Sequence, residues 1–274
     1  SGVRGVGADS RVGAEPFGEL EVTRARFADL TVVIIGGSSD IGKACAAVAL
    51  REGGTVVLTG RNRGSLQSAA AELSPIGPVG MVELDVTDPS SVGAFTEVLG
   101  VDHSHIDVLV IASGQTRVEP RNGVTADHFD SVMAVNARGP YLVMNTVLPM
   151  LRPGSSIVCV TSAVSHRRGR GMTAYAASKA ALETIVRTVA LDVADRGIRV
   201  NAVAPGPTAT AGLHKPLHAT DNPAIRVERI AASLPRGQLT NVDEVAHTIM
   251  FLSSAEASGI NASTVTIDGG WNAA

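Results

Sequence analysis

Cysteine, lysine and aromatic residues are scarce in this 274-residue chain, and the scarcities exclude several classes of protein. The two cysteines, Cys45 and Cys159, cannot build a disulfide framework or a cysteine metal cluster, which favours a reducing cytoplasm. A net charge of −3 gives no broad basic surface, so nucleic acid and anionic membranes are not expected partners. No apolar run reaches the ~18 residues of a membrane-spanning helix, and the first residues lack an export signal core.

Lysine is the more informative scarcity. The chain has 23 basic residues, and only Lys43, Lys179 and Lys215 are lysines. Positive surface charge is therefore supplied mainly by arginine, and a lysine inside a chemical motif is less readily explained as generic surface charge.

From Phe27 onward, short β-branched runs alternate with Ala- and Leu-rich stretches of helical length. The predicted strands are 31–35, 55–59, 79–84, 107–112, 156–161, 199–203 and 264–267. The predicted helices are 41–51, 63–73, 90–99, 126–133, 134–151, 173–195, 223–232 and 242–252. This alternation predicts an α/β fold, a three-layer doubly wound parallel sheet (Rossmann fold) of about seven strands with helices on both faces. We expect one catalytic domain over 27–274, preceded by a flexible extension at 1–26.

A glycine turn, Gly36–Gly42, joins the first predicted strand to the first helix. Such a turn lets the backbone approach a phosphate, which the helix N-terminus then attracts; a tight turn without ligand is the alternative. An NTPase phosphate loop would need Ser or Thr after Lys43, where Ala44 stands. A dinucleotide site fits better, although Asp40 occupies the usual middle glycine. We expect the Asp40 carboxylate to cap the helix and turn away from the cofactor.

Tyr175 and Lys179 lie four positions apart at the start of a long predicted helix, and therefore share one helical face. An ammonium beside a phenol stabilises the phenolate, so Tyr175 can give a proton to a carbonyl oxygen or take one from an alcohol. Ser162 follows a predicted strand, where its hydroxyl can bind the reacting oxygen. Asn136 can hold a water that links Lys179 to solvent. Taken singly, a Tyr-x3-Lys spacing also arises by chance, and Asn136 would more often be structural.

Together these motifs resemble the short-chain dehydrogenase/reductase family, in the single-domain branch that includes 3-oxoacyl-carrier-protein-reductase-like ketoreductases. The resemblance covers residues 27–271 and includes 107–114, 199–206 and 266–270. It implies a catalytic tetrad of Asn136, Ser162, Tyr175 and Lys179. The expected cofactor-binding residues are Gly36, Ser38, Ser39, Ile41, Arg61, Asp85, Val86, Ala112, Ser113, Gly114, Tyr175, Lys179, Pro205, Gly206 and Thr208. The chain departs from the family at Ile35, at Asp40 and at 111–114, where Ile-Ala-Ser-Gly replaces Asn-Asn-Ala-Gly.

The end of the second predicted strand bears on which nicotinamide cofactor is used. A carboxylate there would bind the ribose 2′-hydroxyl of NAD, whereas an arginine accommodates a 2′-phosphate. The sequence has no carboxylate at this point, and Arg61 follows directly. We therefore predict NADP(H), with Arg61 as the main contact and Ser38, Ser39 and Arg63 as helpers; a solvated loop charge is the alternative for Arg61.

Two loops expected at the substrate pocket are basic. Their cationic residues and histidines are His166, Arg167, Arg168, Arg170, His214, Lys215, His218, Arg226, Arg229 and Arg236. They are compatible with an anionic substrate, or with an acyl group on an acidic acyl carrier protein, but solvated basic loops are the favoured interpretation.

The sequence thus predicts a cytoplasmic NADP(H)-dependent oxidoreductase that reduces a small ketone, an aldehyde or a 3-oxoacyl thioester, or runs the reverse reaction. The resemblance also implies a homotetramer or homodimer. The alternatives are a non-catalytic NADP-binding regulatory protein, a P-loop-like NTPase, and a sugar epimerase or dehydratase on a related fold. His103 and His105 lack further ligands nearby, so no metal site is expected.

Overall fold

The computed structural model describes residues 25–116, 119, 124–167, 171–213 and 222–274. Its strands are β1 Thr31–Ile35, β2 Thr55–Gly60, β3 Val79–Glu83, β4 Ile106–Ile111, β5 Leu151–Val160, β6 Arg199–Pro205 and β7 Thr264–Ile267. Its α-helices are α1 Asp40–Arg51, α2 Arg63–Leu73, α3 Pro89–Asp102, α4 Ala126–Met133, α5 Gly139–Val147, α6 Thr173–Asp192, α7 Pro223–Ala232 and α8 Val242–Ser253. The strands form one parallel sheet in the order β3-β2-β1-β4-β5-β6-β7, which confirms the predicted doubly wound fold.

Apolar side chains cover both faces of the sheet. Along β1, Val33 and Ile35 enter a core shared with α3, α5 and α6, while Val32 and Ile34 enter a second core shared with α1, α2 and α8. Because neither face meets water, the central strands read as unbroken apolar runs rather than as alternating patterns.

The sheet changes winding direction between β1 and β4, and this switch point positions the site. The Gly36 and Gly37 amides both donate to the Thr59 carbonyl at the end of β2, at 3.0 and 2.9 Å, and the Ala112 amide donates to Ile35 at 2.8 Å. The segments that follow β1, β2 and β4 therefore meet at one edge, where doubly wound sheets bind ligands.

One predicted helix, 134–151, is wrong only over its last residues, 148–151. A π-helical segment at Ala134–Arg138 leads into α5, a 3₁₀ turn follows at Leu148–Met150, and β5 starts at Leu151. Pro153 and Gly154 are typical turn residues, but in the structure they belong to β5. Gly154 has φ +93° there, and the register of β5 with β4 shifts over this stretch. An irregular strand of this kind leaves no periodic signal.

Of the extension predicted at 1–26, residues 1–24 lie outside the described part of the chain. In the described part of the chain, no helix is both long enough and apolar enough to cross a membrane.

Candidate active site

The glycine turn after β1 is closed so tightly that side chains are excluded. Gly36 has φ +82°, and a Cβ there would lie 2.8 Å from the Ser113 amide nitrogen. A Cβ on Gly42 would lie 2.4 Å from the Gly36 carbonyl oxygen. Contacts this short cannot be relieved by rotating a side chain, so the turn leaves a cradle of bare backbone at the start of α1.

The N-cap of α1 is Ser39, not Asp40. The Ser39 hydroxyl accepts from the Gly42 amide at 3.1 Å and donates to the Gly36 carbonyl at 2.7 Å. The Asp40 carboxylate instead accepts from the Ala211 amide at 2.6 Å, in the loop after β6. The prediction of an Asp40 cap was therefore wrong, because the preceding serine already satisfies that end of the helix.

Lys43 does not serve the glycine turn. Its ammonium pairs with the Glu72 carboxylate on α2 at 2.7 Å. An NTPase phosphate loop requires this lysine on the phosphates and a hydroxyl after it. The turn thus lacks both features of the NTPase alternative.

The cradle fits a dinucleotide phosphate and ribose. The Ser113 hydroxyl, next to Gly36, is buried and has no hydrogen-bond partner among the described residues. An orphaned buried hydroxyl beside free helix N–H groups is suited to a polar ligand. Asp85 and Val86 follow β3 at the same edge, and the Asp85 carboxylate folds back onto the amide and hydroxyl of Thr87 at 2.9 and 2.7 Å. Ile41, Ala112 and Gly114 also lie within this edge.

Asn136 is fully buried inside the π-helical segment. Its Oδ1 accepts from the Gln115 amide at 2.8 Å, and its Nδ2 donates to the Gln115 carbonyl and the Ser178 hydroxyl, both at 3.0 Å. The side chain thus ties the segment after β4 to Ser178 on α6, one position before Lys179. Neither partner is marked by a motif in the sequence.

Lys179 is buried on α6, and its ammonium donates to the Val160 carbonyl at 2.8 Å. A Cβ on Gly114 would lie 3.4 Å from Lys179 Nζ and 3.7 Å from Asn136 Oδ1, so these three residues form one cluster. Burial lowers the pKa of Lys179 to about 8, against a small opposing effect of Cys159. An ammonium kept in so apolar a place interacts strongly with any neighbouring negative charge.

Tyr175 lies one helical turn before Lys179 and is half-buried, while Ser162 directly follows the end of β5 and is buried. The Ser162 hydroxyl accepts from the Val164 amide at 3.3 Å. The structure therefore places Ser162 two residues beyond the Val160 carbonyl, which accepts the hydrogen bond of Lys179.

Pro205, Gly206 and Thr208 line the end of β6. A Cβ on Gly206 would lie 2.6 Å from Asp268 Cβ, so the turn packs directly on the segment after β7. The Thr208 hydroxyl donates to the Gly206 carbonyl at 2.9 Å. This segment reaches the same edge of the sheet as Ser162.

Arg61 is exposed immediately after β2, and its side chain makes no hydrogen bond or ion pair with the described residues. A Cβ on Gly60 would lie 3.8 Å from Ser38 Oγ, which puts Ser38 beside Arg61. Arg63, expected to help, pairs with Glu83 at 3.1 Å. The cation next to the glycine turn is thus Arg61.

Four of the basic loop residues have structural partners. His166 lies 3.1 Å from the Glu183 carboxylate, and the Arg226 guanidinium donates to the Leu213 carbonyl at 2.5 Å. The Arg167 guanidinium donates to the carbonyls of Trp271 and Ala274 and lies 5.0 Å from the centre of the Trp271 ring. Arg236 pairs with Glu244 at 2.8 Å. Their engagement favours the structural interpretation of these charges. Other members of the set lie outside the described residues: Arg168, Arg170, His214, Lys215 and His218.

Two buried carboxylates escaped the sequence reasoning. Glu119 accepts from the Ala174 amide at 2.6 Å and so caps α6, whose own N-cap residue, Met172, makes no side-chain cap. Glu183 lies one turn beyond Lys179 on α6. No motif marks Glu119, but the spacing 175, 179, 183 along one helix face could have pointed to Glu183.

Comparison with known proteins gives consistent matches. Residues 36–272 match the family described as "Enoyl-(Acyl carrier protein) reductase". Levodione reductase of Leifsonia aquatica is 33% identical over 257 residues, covering 91% of this chain and 96% of that protein. The 3-oxoacyl-[acyl-carrier-protein] reductase FabG of Thermotoga maritima is 34% identical over 241 residues, covering 87% and 96%.

Solved structures agree in fold. The crystal structure of levodione reductase superposes with a TM-score of 0.84 at 30% identity, covering 90% of this chain and 99% of that one. The RhlG/NADP active-site complex of Pseudomonas aeruginosa has the same TM-score of 0.84 at 24% identity, covering 91% and 98%, and supports the fold alone.

Proposed function

The chain belongs to the short-chain dehydrogenase/reductase family, the resemblance seen in its motifs, and from this premise we propose that it interconverts a ketone or aldehyde and an alcohol with NADP(H). The observation that carries the proposal is the buried Lys179 ammonium, one turn from Tyr175 and in one cluster with Asn136 and Gly114. Burial of an ammonium lowers the free energy of unfolding, because removing the charge from water is costly. A lysine at this position is therefore better explained by a role in the reaction than by a role in stability.

Bound NADPH supplies a hydride from its nicotinamide to the carbonyl carbon. Tyr175 gives its phenolic proton to the carbonyl oxygen, so the C=O bond becomes C–OH. The Lys179 ammonium stabilises the phenolate left behind. Asn136, fixed by Gln115 and Ser178, would hold the water that connects Lys179 to the proton supply.

Ser162 orients the reacting oxygen. Its hydroxyl follows β5 at the carboxyl edge of the sheet, where a substrate oxygen can accept its hydrogen bond. Pro205, Gly206 and Thr208 border the nicotinamide from β6. These roles rest on the positions of the residues together with the family membership.

The reaction is tested by NADPH oxidation at 340 nm against 3-oxoacyl thioesters, cyclic diketones, quinones and steroid ketones. We expect at least one ketone to be reduced, and Tyr175→Phe to lower kcat by about 1,000-fold with NADPH binding unchanged, since general acid catalysis contributes about 10²–10⁴-fold. NADPH binding without turnover of any ketone would favour a non-catalytic NADP-binding protein instead. Full activity of the Tyr175→Phe variant would reject Tyr175 as the acid.

NADPH is the preferred cofactor in this proposal because Arg61, which has no hydrogen bond or ion pair with the described residues, stands beside Ser38, where the 2′-phosphate would lie. Dissociation constants for NADPH and NADH test this. We expect Arg61→Ala to weaken NADPH by about 10-fold or more, the value of one charge-assisted contact, and to leave NADH unchanged. Arg63→Ala, which removes a similar charge already paired with Glu83, is the matched control. Equal NADPH and NADH affinities, unaffected by Arg61→Ala, would overturn the preference.

The substrate class follows from the relatives only as a proposal. Both are reductases by name, one of levodione and one of a 3-oxoacyl group on acyl carrier protein. A small ketone or a 3-oxoacyl thioester is therefore the first choice for the panel. Acyl carrier protein as a partner is tested by replacing a free thioester with the carrier-linked one.

A homotetramer or homodimer is part of the proposal. Tyr141 on α5 and Leu191 on α6 are 45% and 75% exposed, as apolar side chains awaiting a second copy would be. Analytical ultracentrifugation tests the assembly. The free, buried thiols of Cys45 and Cys159 support a reducing cytoplasm.

A further inference from the structure

A buried carboxylate on α6 has no part in the chemistry proposed so far. Glu183 lies one turn beyond Lys179 and two turns beyond Tyr175, and its side chain is only 4% exposed. Burying a carboxylate is costly unless hydrogen-bond donors surround it. The partners of Glu183 therefore indicate what the residue does.

Its main partner lies in the turn that carries Ser162. Glu183 Oε1 is 2.5 Å from the Ser165 hydroxyl, and that hydroxyl is 2.6 Å from the Ser162 carbonyl oxygen. The Ser165 amide also donates to the Ser162 carbonyl at 3.1 Å. A serine hydroxyl has one hydrogen, which the Glu183 carboxylate and the Ser162 carbonyl share as acceptors, so the Ser165 amide makes the independent hydrogen bond to Ser162. Glu183 thus holds Ser165, and Ser165 holds the backbone of Ser162.

The other oxygen of Glu183 faces outward. Oε2 is 3.1 Å from His166 Nε2, next in the same turn, and 4.0 Å from the Arg187 guanidinium on α6. Both of these partners are about half exposed. Only the contact to Ser165 leads inward to Ser162.

A second contact from α6 fixes the other side of Ser162. Lys179 donates to the Val160 carbonyl, two residues before Ser162, at 2.8 Å. Two side chains one turn apart on α6 therefore hold the chain before and after this serine. Because Tyr175 stands on the same helix, these contacts set the distance between the Ser162 and Tyr175 hydroxyls.

We propose that Glu183 is a positioning residue that acts through Ser165 to hold the Ser162 hydroxyl in register with Tyr175. The inference rests on the proposed function, in which both hydroxyls must reach one substrate oxygen. A displacement of about 1 Å in such a pair costs on the order of 100-fold in rate. Among the described residues, Glu183 is the α6 side chain whose contacts with Ser165 and His166 tie the turn after β5 to α6.

The test compares kcat of Glu183→Met, Glu183→Gln and Ser165→Ala. We expect Glu183→Met and Ser165→Ala to lower kcat by about 10-fold each, with NADPH binding unchanged, and Glu183→Gln, which keeps an acceptor for Ser165, to retain activity within about threefold. Because the two residues act in series, the double variant Glu183→Met with Ser165→Ala should be no slower than either single variant. Arg187→Ala, which touches the same carboxylate from outside, is the matched control and should keep kcat.

A Ser162→Ala background separates positioning from general structural support. If Glu183 acts through Ser162, Glu183→Met causes no further fall in kcat there. An equal fall in both backgrounds, or a lower melting temperature with an unchanged kcat in the native background, would overturn the inference.

Amide hydrogen exchange provides a readout that needs no turnover. We expect exchange over 160–167 to rise by about 10-fold or more in Glu183→Met and to stay unchanged in Arg187→Ala. If the native protein reduces no ketone, the proposed function fails, yet this exchange still decides whether Glu183 holds the turn. Unchanged exchange in Glu183→Met would reject the inference while leaving the proposed function standing.

Discussion

The two halves of the binding edge are built by opposite means. At the end of β1, the cradle is formed by bare backbone, and Gly36 and Gly42 leave no room for one more carbon. At the end of β5, buried polar side chains do the same work: Lys179 binds the Val160 carbonyl, Asn136 binds the Ser178 hydroxyl, and Glu183 binds the Ser165 hydroxyl. Shape is specified in the first region by steric exclusion and in the second by hydrogen bonds.

This difference governs how each region fails. A steric fit is lost at once when an atom is added, whereas a buried polar network responds to charge and pH. Each of the following predictions tests one side of that contrast, in order of decreasing expected effect.

Adding one methyl group to the glycine turn should have the largest effect. In Gly42→Ala the new Cβ would lie 2.4 Å from the Gly36 carbonyl oxygen, so the turn must open. We expect loss of measurable NADPH binding and a fall in the free energy of unfolding by about 3 kcal/mol, at the upper end for overpacking. Calorimetric titration and urea unfolding measure both.

The matched control is Gly100→Ala in α3, where an added Cβ meets nothing within 4 Å. This change should leave NADPH binding intact and raise the free energy of unfolding by about 0.5–1 kcal/mol, as expected for alanine in a helix. Similar NADPH affinities in the two variants would contradict the steric account of the turn.

Lys179→Met should reveal the cost of the buried ammonium as a pH dependence. The pKa of Lys179 is about 8 in the folded protein and near 10.5 when exposed. Below pH 8, Lys179 is protonated in both the folded and the unfolded state, and the buried charge destabilises the folded native protein to the full extent. Between pH 8 and 10.5 only the unfolded state keeps the proton, so the free energy of unfolding of the native protein rises. The stability of the variant relative to the native protein should therefore drop by about 3 kcal/mol from pH 7 to 10.5.

Guanidinium unfolding at several pH values measures this difference. A constant gap between Lys179→Met and the native protein across that range would mean that the ammonium is well solvated. The view that buried polar side chains specify the shape of the site at the end of β5 would then lose its main support.

Glu119→Ala should have the smallest effect of the three. Burial alone would raise the pKa of Glu119, but hydrogen bonds from Ala174 and Thr173 hold it below its usual value. Loss of this helix cap should cost about 1 kcal/mol at pH 7. Because the pKa of Glu119 is lower in the folded state, the cap stabilises the protein fully at pH values above the pKa of the unfolded state. This stabilisation is lost as the pH falls through the pKa of the folded state, so the stabilities of Glu119→Ala and the native protein should converge in acid.

Thermal unfolding between pH 2 and 7 measures this gap. Asp88→Ala, which removes a carboxylate cap from α3, is the comparison for a cap remote from Tyr175. A gap that widens in acid would show that Glu119 does not work as an ionised cap.

Much of the fold could be predicted from local pattern, and the reasons are visible in particular elements. The bounds of α2 and α7 match the prediction, since Asn62 and Asn222 mark their starts with side-chain caps. The β5 strand was predicted to begin five residues too late, because Pro153 and Gly154 imitate a turn. Local signals describe regular elements well and irregular ones poorly.

For the site, the sequence revealed the residues placed in motifs but not those that hold them. The grouping of Asn136 with Lys179 was expected, whereas its bonds to Gln115 and Ser178 were not. Glu119 contacts Ala174 across 55 positions, and the Ser39 cap displaced the expected Asp40 cap. The partners of Asn136 and Glu119 depend on tertiary packing, which leaves no spacing rule in a single sequence, whereas the Ser39 cap is a local contact with Gly42.

The π-helical turn at Ala134–Arg138 makes chain length itself a determinant of the proposed catalytic centre. Each residue of an α-helix rotates the next by about 100°, and a π turn accommodates one extra residue without shifting the flanking helices. Deleting a single residue there would restore regular winding and carry Asn136 away from Gln115. The carboxamide is therefore aimed by a local surplus of backbone, which a substitution elsewhere in the helix cannot reproduce.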